Sequence, residues 1–257
     1  MIISDRMEPN KDLRVSTMTL VSEINSNINL AELYNNLEIN DFIHYIEYGK
    51  DRTKGSSVKK IKNPRKHKEK KFFYNQLTLH IYKGKIVNVK LFNNGRIQMT
   101  GLKQKQQGID IIHMLLQYLG KLSENKRKDI LDNINPEIRE SRIVLINSDF
   151  DIRFKINREI LHRLIVSRGY YSSYEPTIYP GVNIKYYFNP KHDNCGICKC
   201  TFPCNGKGKG CCKKITIAVF NSGKIIITGG QSYEHLNTAY SFIKDIINER
   251  RDELINK

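Results

Sequence analysis

The chain has 257 residues, 39% of them hydrophobic, which is enough to bury a core as one large domain or two small ones. Lysine and arginine number 43 against 26 acidic residues, and the formal charge of +17 favours a polyanionic partner, nucleic acid before a membrane surface. No apolar run reaches the length of a membrane span and the first ten residues lack a signal-peptide core, so we expect an intracellular, reduced chain.

The first half of the chain predicts an ordered set of strands and helices. A strand at VSTMTL (Val15–Leu20) precedes a short helix near Leu30–Leu37. Further on, FNNGRIQMTG (Phe92–Gly101) follows an apolar run and contains an N-N-G turn, which is typical of a hairpin. A long helix follows, indicated by apolar residues at intervals of three or four: Ile109, Ile112, Leu116 and Leu119.

The same order recurs 128 residues later. FNSGKIIITG (Phe220–Gly229) is identical to the first copy at six of ten positions. A short helix near Arg158–Arg168 precedes it, and a helical pattern follows at Leu236, Tyr240, Ile243 and Ile247. The polar segment Lys121–Glu140 reads as a connector. Two such α+β units predict a pseudo-symmetric protein with one continuous antiparallel sheet and helices on one face.

A basic insertion interrupts the first unit. Gly49–Lys71 contains eleven lysines and arginines against Asp51 and Glu69 and almost no apolar residues, which predicts a mobile loop. It would bind phosphates, act as a nuclear-localisation signal, or serve only as a solvated loop, and these interpretations are compatible with one another.

All six cysteines lie in a second insertion, Asn189–Lys214. In a reduced chain this clustering indicates metal before disulfides. Cys195-x-x-Cys198 is a zinc-knuckle type of pair, and two further ligands would come from Cys200, Cys204, Cys211 and Cys212. We expect about one structural zinc, because a coreless loop of this size needs ligation to fold. A two-metal cluster and a set of free or disulfide-linked thiols are the alternatives.

The sequence contains no motif that predicts catalysis. GKGKGCCKK looks like a phosphate loop only superficially, because the strand–loop–helix order is missing and cysteine follows the Gly-Lys pairs. There is no H-E-x-x-H and no nucleophile elbow. We therefore expect a protein that is not an enzyme.

VSTMTL, SSYEPTIYPG (Ser172–Gly181) and the two hairpins ending in T-G resemble the TATA-box-binding protein family over roughly Leu13–Arg250. The divergence and the insertions are similar to versions encoded by large DNA viruses. The resemblance implies an α+β saddle: one curved ten-stranded antiparallel sheet with helices on the convex face. It also implies repeats at 13–120 and 141–250, a connector at 121–140, tails at 1–12 and 251–257, and both insertions at the stirrups between second and third strands.

The resemblance further implies which residues would contact DNA. The family wedges two pairs of phenylalanines between base steps in the minor groove. Phe92 and Phe220 match the hairpin members, Tyr179 matches the second-half partner, and Phe42 is the first-half candidate, with an ordinary core aromatic as the alternative for each. Arg96 and Lys224 match phosphate contacts. Strand alternation and the resemblance complete the face with Val15, Lys90, Gln98, Thr100, Lys185, Ala218, Ile226 and Thr228. The central asparagines of the family are replaced by Leu13 and Leu145, which weakens the expectation of strict TATA selectivity.

Glu175, Thr177 and Ile178 match the family surface that holds a B-type initiation factor. The first hypothesis is therefore a general transcription initiation factor that binds and bends AT-rich promoter DNA, as a monomer, and recruits that factor and RNA polymerase. The alternative is a saddle-fold interaction protein with a zinc-stabilised loop, which recruits transcription or replication partners and binds DNA weakly. The expected location is the nucleus, a cytoplasmic viral replication site or the virion.

Overall fold

The computed structural model describes residues 8–57, 74–191 and 194–256. The chain forms two compact units, unit N (Met18–Val144) and unit C (Met1–Thr17 with Leu145–Lys257). Strands β1 and β7 each contribute residues to both units. None of the helices in the described ranges has the length and apolarity that crossing a membrane requires.

The elements of the first half are β1 (Arg14–Ile24), α1 (Leu30–Asn36), β2 (Ile43–Tyr48), β3 (Arg52–Gly55), β4 (Gln76–Tyr82), β5 (Ile86–Phe92), β6 (Arg96–Leu102), α2 (Lys105–Gly120) and α3 (Glu124–Ile130). Those of the second half are β7 (Ile138–Asp151), α4 (Arg158–Ser167), β8 (Tyr171–Ser173), β9 (Val182–Phe188), β10 (Lys213–Val219), β11 (Lys224–Gly230), α5 (Tyr233–Glu249) and α6 (Arg251–Leu254).

Within the described residues the strands form one antiparallel sheet in the order β3-β2-β4-β5-β6-β1-β7-β11-β10-β9-β8. This confirms the predicted α+β sheet with helices, although it has eleven strands where ten were expected. The additional strand is β3, which pairs with β2 at the start of the basic insertion. The rest of that insertion, from residue 58, lies outside the described residues.

Alternation along the strands builds the core of each unit on the side of the sheet that carries the helices. In unit N the fully buried side chains include Leu20, Leu79, Met99 and Ile111. In unit C they include Ile184, Ile217, Ile227 and Leu236. Each such side chain contributes roughly 1.5–3 kcal/mol relative to its exposed state, so this side of the sheet fixes the strand register.

The 128-residue repeat extends to individual backbone contacts. Asn29 caps α1 and Asn157 caps α4, each through its side-chain oxygen. Gly95 and Gly223 turn the two hairpins at φ +76° and +87°, and a Cβ on either would lie 2.3 Å from a carbonyl oxygen, that of Ser26 or Phe154. Because only glycine fits both the angle and the space, the hairpin glycine is required in both repeats.

The cysteine insertion lies elsewhere than predicted. In unit C the turn between the second and third strands is the Tyr-Pro segment 174–181, because β8 ends at Ser173 and β9 begins at Val182. The cysteines therefore fall between β9 and β10, the third and fourth strands. The matching turn in unit N contains only residues 83–85. The expectation that both insertions occupy a stirrup is wrong for the second one.

Candidate nucleic-acid interface

The side of each unit's sheet that faces away from the core, here called its helix-free face, holds most of the predicted DNA-binding residues. In unit C, cross-strand pairing aligns two rows on this face: Asn183–Ala218–Ile226–Asp149 and Tyr171–Lys185–Thr216–Thr228. Ile226 is 37% exposed, whereas its neighbours Ile225 and Ile227 are fully buried. The second repeat therefore presents a mixed surface of methyl groups, hydroxyls, an amide and one lysine, with Asp149 at the end of one row.

Two aromatic rings lie at the end of this face. Tyr179 and Phe220 are arranged edge to face with ring centroids 5.8 Å apart. Gly181 makes room for them, since a Cβ there would lie 3.0 Å from the tyrosine ring and 3.2 Å from the phenylalanine ring. Tyr179 remains 40% exposed. The structure thus brings together two residues that the sequence predicted as partners.

The segment that carries Tyr179 is braced from helix α4. The Arg158 guanidinium donates a hydrogen bond to the Pro180 carbonyl and lies 5.3 Å from the centre of the Tyr174 ring. Sequence reasoning missed this arginine, whose only signal was its place at the start of a helix. The brace fixes the tyrosine–proline segment relative to the unit C core.

The outward side of the same segment holds the predicted partner-binding residues. Ile178 is 84% exposed, the largest exposure among the large apolar side chains of the described residues. The Thr177 hydroxyl donates to the Glu175 carboxylate at 2.9 Å, and the Glu175 carbonyl accepts from the amides of Ile178 and Tyr179. The three predicted residues therefore form one exposed, locally ordered turn.

The helix-free face of unit N is more polar. Its two rows read Glu47–Thr78–Lys90–Gln98–Val21 and Tyr45–His80–Asn88–Thr100–Thr19. Lys90 Nζ lies 3.3 Å from Gln76 Oε1, and Gln76 Nε2 lies 3.0 Å from Thr78 Oγ1. Lys90, Gln98 and Thr100 share a face as predicted. The side chains around Lys90 there form hydrogen bonds, whereas the matching surface of unit C is richer in methyl groups.

Phe42 does not lie beside Phe92. Phe92 is half-buried and pairs with Gln76 at one end of β4, whereas the Phe42 carbonyl accepts from Tyr82 at the other end. Phe42 as the partner of Phe92 is therefore a wrong assignment, caused by a loose alignment before β2. Register identifies Tyr74 instead: it precedes the partner of Phe92 by two residues, as Tyr179 precedes the position opposite Phe220. Tyr74 is 71% exposed.

The remaining predicted contacts are distributed along β1, β6, β7 and β11. Arg96 and Lys224 are exposed just after the hairpin glycines, and Arg96 Nε lies 3.6 Å from Glu23. Val15 is half-buried in β1. At the positions without family asparagines, Leu13 is buried and Leu145 is half-buried. Two residues beyond Leu145, the Asn147 side chain accepts a hydrogen bond from the Thr228 hydroxyl.

Positive charge accumulates around Lys185 in unit C. Its ammonium lies 3.0 Å from the Thr216 hydroxyl. Burial lowers the pKa of Lys185, and repulsion from Lys214 and Lys207 lowers it further. A lysine destabilised by other cations gains when an anion approaches, so this end of the face is suited to a phosphate.

Elsewhere the same face carries an acid. Asp149 accepts from Arg14 at 2.7 Å, and this ion pair reduces the repulsion that Asp149 would exert on a polyanion. Arg14 was not among the predicted residues, although it is adjacent to Val15 in the strand.

Four of the six cysteines form a cluster. The sulfurs of Cys198, Cys200, Cys204 and Cys212 lie within 4.8 Å of one another, with Cys200–Cys212 at 3.5 Å and Cys198–Cys212 at 3.7 Å. Cys195 is outside the group, and its thiol contacts the Ile197 carbonyl instead. Cys211 is exposed. The predicted Cys195-x-x-Cys198 pair is therefore not the core of the site.

Backbone hydrogen bonds favour the thiolate form of one cysteine in the cluster, whereas burial raises the pKa of Cys212. Hydrogen bonds from the amides of Cys212 and Gly206 lower the pKa of Cys204 to about 7, with desolvation opposing them. Gly210 has φ +87°, and a Cβ there would lie 2.5 Å from the Cys204 sulfur. Four converging thiols with a glycine-lined approach could hold one soft metal ion.

Comparison with known proteins agrees with the fold. Residues 140–250 match the family model "Transcription factor TFIID (or TATA-binding protein, TBP)". The TATA-box-binding protein-like protein of Acanthamoeba polyphaga mimivirus is 26% identical over 257 residues, covering 92% of this chain and 65% of the relative. The TATA-box-binding protein of Candida albicans is 26% identical over 163 residues, covering 63% of this chain and 52% of the relative. The chain thus spans less than two thirds of either.

Among solved structures, Methanococcus jannaschii TBP matches with a TM-score of 0.56 and 20% identity, over 93% of this chain and 99% of that chain. The fold and the repeated helix-free faces define a two-repeat α+β protein of the saddle fold. The chain resembles TATA-box-binding proteins in its fold, and the family model matches its second repeat, residues 140–250.

Proposed function

We propose that this chain is a DNA-binding transcription initiation factor, not an enzyme, which binds A·T-rich duplex DNA through the minor groove and bends it. The observation that carries the proposal is the pair Tyr179–Phe220, an edge-to-face couple on a helix-free face. Aromatic side chains inserted from the minor groove unstack a base step and kink the duplex. The exposed edge of Tyr179 is available for that step.

The rest of the face fits a minor groove. The floor of an A·T groove offers only acceptors, so shape and van der Waals contact dominate there. Ile226 supplies such a contact, whereas its cross-strand partner Ala218 is buried, with 4% exposure. Arg96, Lys185 and Lys224 would contact phosphates, which provide most of the affinity. A bend in the duplex would bring these cations within reach of the backbone.

We further propose that the cysteine cluster holds one zinc ion. Four sulfurs at about 2.3 Å from zinc in a tetrahedron lie about 3.8 Å apart. The two measured separations, 3.5 and 3.7 Å, are close to that value. The role would be structural, because all four ligand positions are filled by cysteine. Lys207 and Lys209 in the same loop would then be held next to the Lys185 end of the face.

The exposed turn with Glu175, Thr177 and Ile178 is proposed to recruit a B-type initiation factor and, through it, RNA polymerase. An exposed isoleucine beside an ordered carboxylate provides an apolar anchor and a charge for specificity. The Arg158 brace reduces the entropy lost when the turn docks. The mimivirus relative suggests a viral transcription setting, in the nucleus or a cytoplasmic replication site.

A second candidate is an interaction protein that binds DNA weakly. Glu47 and Asp149 on the helix-free faces favour it, since carboxylates repel phosphates. Both candidates share the recruiting turn and differ in the strength of DNA binding.

One experiment separates the two candidates. Binding to a 16-base-pair A·T-rich duplex is measured by fluorescence anisotropy across a salt series, with a G·C duplex as control and end-to-end energy transfer reporting the bend. The proposal expects a steep fall in affinity with salt, roughly 0.9 log unit per log unit of salt for each phosphate neutralised, and a bent A·T duplex. Absence of binding at low salt, or binding without a bend, supports the interaction protein.

A further inference from the structure

The helix-free faces of the two repeats differ in chemistry at matching positions. Lys90 and Gln98 lie 128 residues before Ala218 and Ile226 and occupy the same places in the strand ladder. An ammonium and an amide in the first repeat thus replace a methyl and a branched alkyl group in the second. The two repeats therefore share one fold but present chemically different surfaces to a minor groove.

Minor-groove chemistry makes this difference selective. Every base pair shows acceptors there, and only guanine adds a donor, its exocyclic amino group. Against Ile226 that amino group would lose water and gain no acceptor, which is costly. The Gln98 amide offers an oxygen that accepts from guanine and an NH₂ group that donates to adenine or thymine acceptors. Gln98 can therefore satisfy either kind of pair.

The surroundings of Gln98 give space and order for this contact. Gln98, Val21 and Phe92 line a cavity of about 390 Å³. Beside it, Lys90 and Thr78 are both within hydrogen-bond distance of Gln76. The amino group of a guanine would thus meet an open recess next to Phe92, the proposed wedge. The polar side chains beside the recess are held in place by their hydrogen bonds with Gln76.

We propose that the two repeats read their half-sites differently: the first repeat accepts a G·C pair through Gln98, and the second rejects it at Ile226. This inference rests on the proposed minor-groove binding. It gives a nearly symmetric fold a preferred direction on DNA, because a G·C pair in one half-site directs the first repeat to that half.

The test uses the wild-type chain and three duplexes: all A·T, one G·C pair in one half-site, and G·C pairs at mirror-related positions in both. The chain can bind in either direction, so the single G·C pair should raise the dissociation constant less than twofold. Two G·C pairs should weaken it about tenfold, within the usual effect of a wrong base pair. Equal penalties for one and two pairs, or no penalty for two, would overturn the inference.

Two variants assign the effect to residues, with a melting curve as the folding control. Gln98→Ile should raise the penalty of the single G·C pair to about tenfold, and Ile226→Gln should reduce the penalty of two pairs to less than threefold. Unchanged penalties in folded variants contradict the inference. If one variant does not fold, the other variant and the wild-type series decide. A chain that binds none of the duplexes contradicts the proposed function as well, whereas binding to the all-A·T duplex preserves it.

Discussion

The Tyr179 and Phe220 rings meet edge to face with centroids 5.8 Å apart, although the two residues are 41 positions apart in the sequence. The contact depends on Gly181, which leaves no side chain between the rings. Aromatic pairs of this geometry contribute about 0.5–1.5 kcal/mol beyond area burial. The pair is therefore pre-assembled on the unit C face before any ligand arrives.

Phe220→Ala should abolish most of the DNA bend while lowering the melting temperature little, because the ring is only half-buried. Phe150→Ala is the matched control: Phe150 is 7% exposed against Tyr240, and losing such a buried ring costs about 3–5 kcal/mol. End-to-end energy transfer and thermal unfolding measure the two effects. If Phe220→Ala unfolds the protein as Phe150→Ala does, Phe220 is a core residue.

Tyr74→Ala should reduce the bend at the first repeat, and Phe42→Ala should not. The reason is position, since only Tyr74 lies at the end of the ladder where Phe92 is found. Each variant is compared with Phe92→Ala in the energy-transfer assay. A bend that depends on Phe42 and is insensitive to Tyr74 would restore the original assignment and contradict the register argument.

Protein purified without chelator should contain about one zinc per chain. Cys198→Ser and Cys204→Ser should lose it, and Cys195→Ser and Cys211→Ser should retain it, because only the first two belong to the four-sulfur cluster. Metal analysis of the four variants checks this. Loss of zinc from the Cys195 variant would mean that the loop rearranges around the metal; a metal-free wild type with an unchanged melting curve would refute the site.

Glu175→Arg should leave DNA affinity and melting temperature nearly unchanged and prevent ternary complex formation with a B-type factor from the same organism. Glu175 is exposed, and its carboxylate accepts a hydrogen bond from the Thr177 hydroxyl within the same turn. Glu124→Arg, an exposed charge reversal on α3, is the control. A gel shift with DNA, protein and factor decides, and a normal ternary complex would limit this turn to DNA binding or folding.

Stability should fall on acidification between about pH 6.5 and pH 4 through His235. Burial, followed by repulsion from Lys213, lowers the pKa of His235 to about 4. The folded state therefore disfavours the charged ring. The stabilisation of the folded state by neutral His235 is complete above the unfolded pKa of about 6.5 and is lost as the pH falls towards 4. His235→Asn, whose Oδ1 can still accept from the Gln231 amide, should flatten this part of the melting temperature profile. An unchanged acid slope would contradict it.

The fold could be predicted from the sequence because the residues that recur in both repeats have local structural roles. The hairpin glycines, the capping asparagines and the helical periodicities all recur, and each has a local physical cause. The pairing of Tyr179 with Phe220 came instead from the resemblance to the family, and the structure places the two rings in contact.

The predictions of site residues failed where the position of a residue depends on strand pairing or loop conformation, which the sequence pattern does not give. Phe42 was chosen from a loose alignment before β2, whereas Tyr74 is identified only once β4 is paired with β5. Cys195 was chosen for its C-x-x-C spacing, but the loop's backbone brings Cys200 and Cys212 together instead. Arg158 acts through a tertiary contact for which no sequence pattern exists.

The unequal turns at one place in the two repeats have a consequence for strand register. Three residues join β4 to β5, and the whole cysteine segment joins β9 to β10, yet the ladders on either side keep matching register. Closing a longer turn costs only about 0.6 kcal/mol for each doubling of its length. The length of this turn therefore does not set the strand register: the sheet accepts either a three-residue turn or the whole cysteine segment at this place.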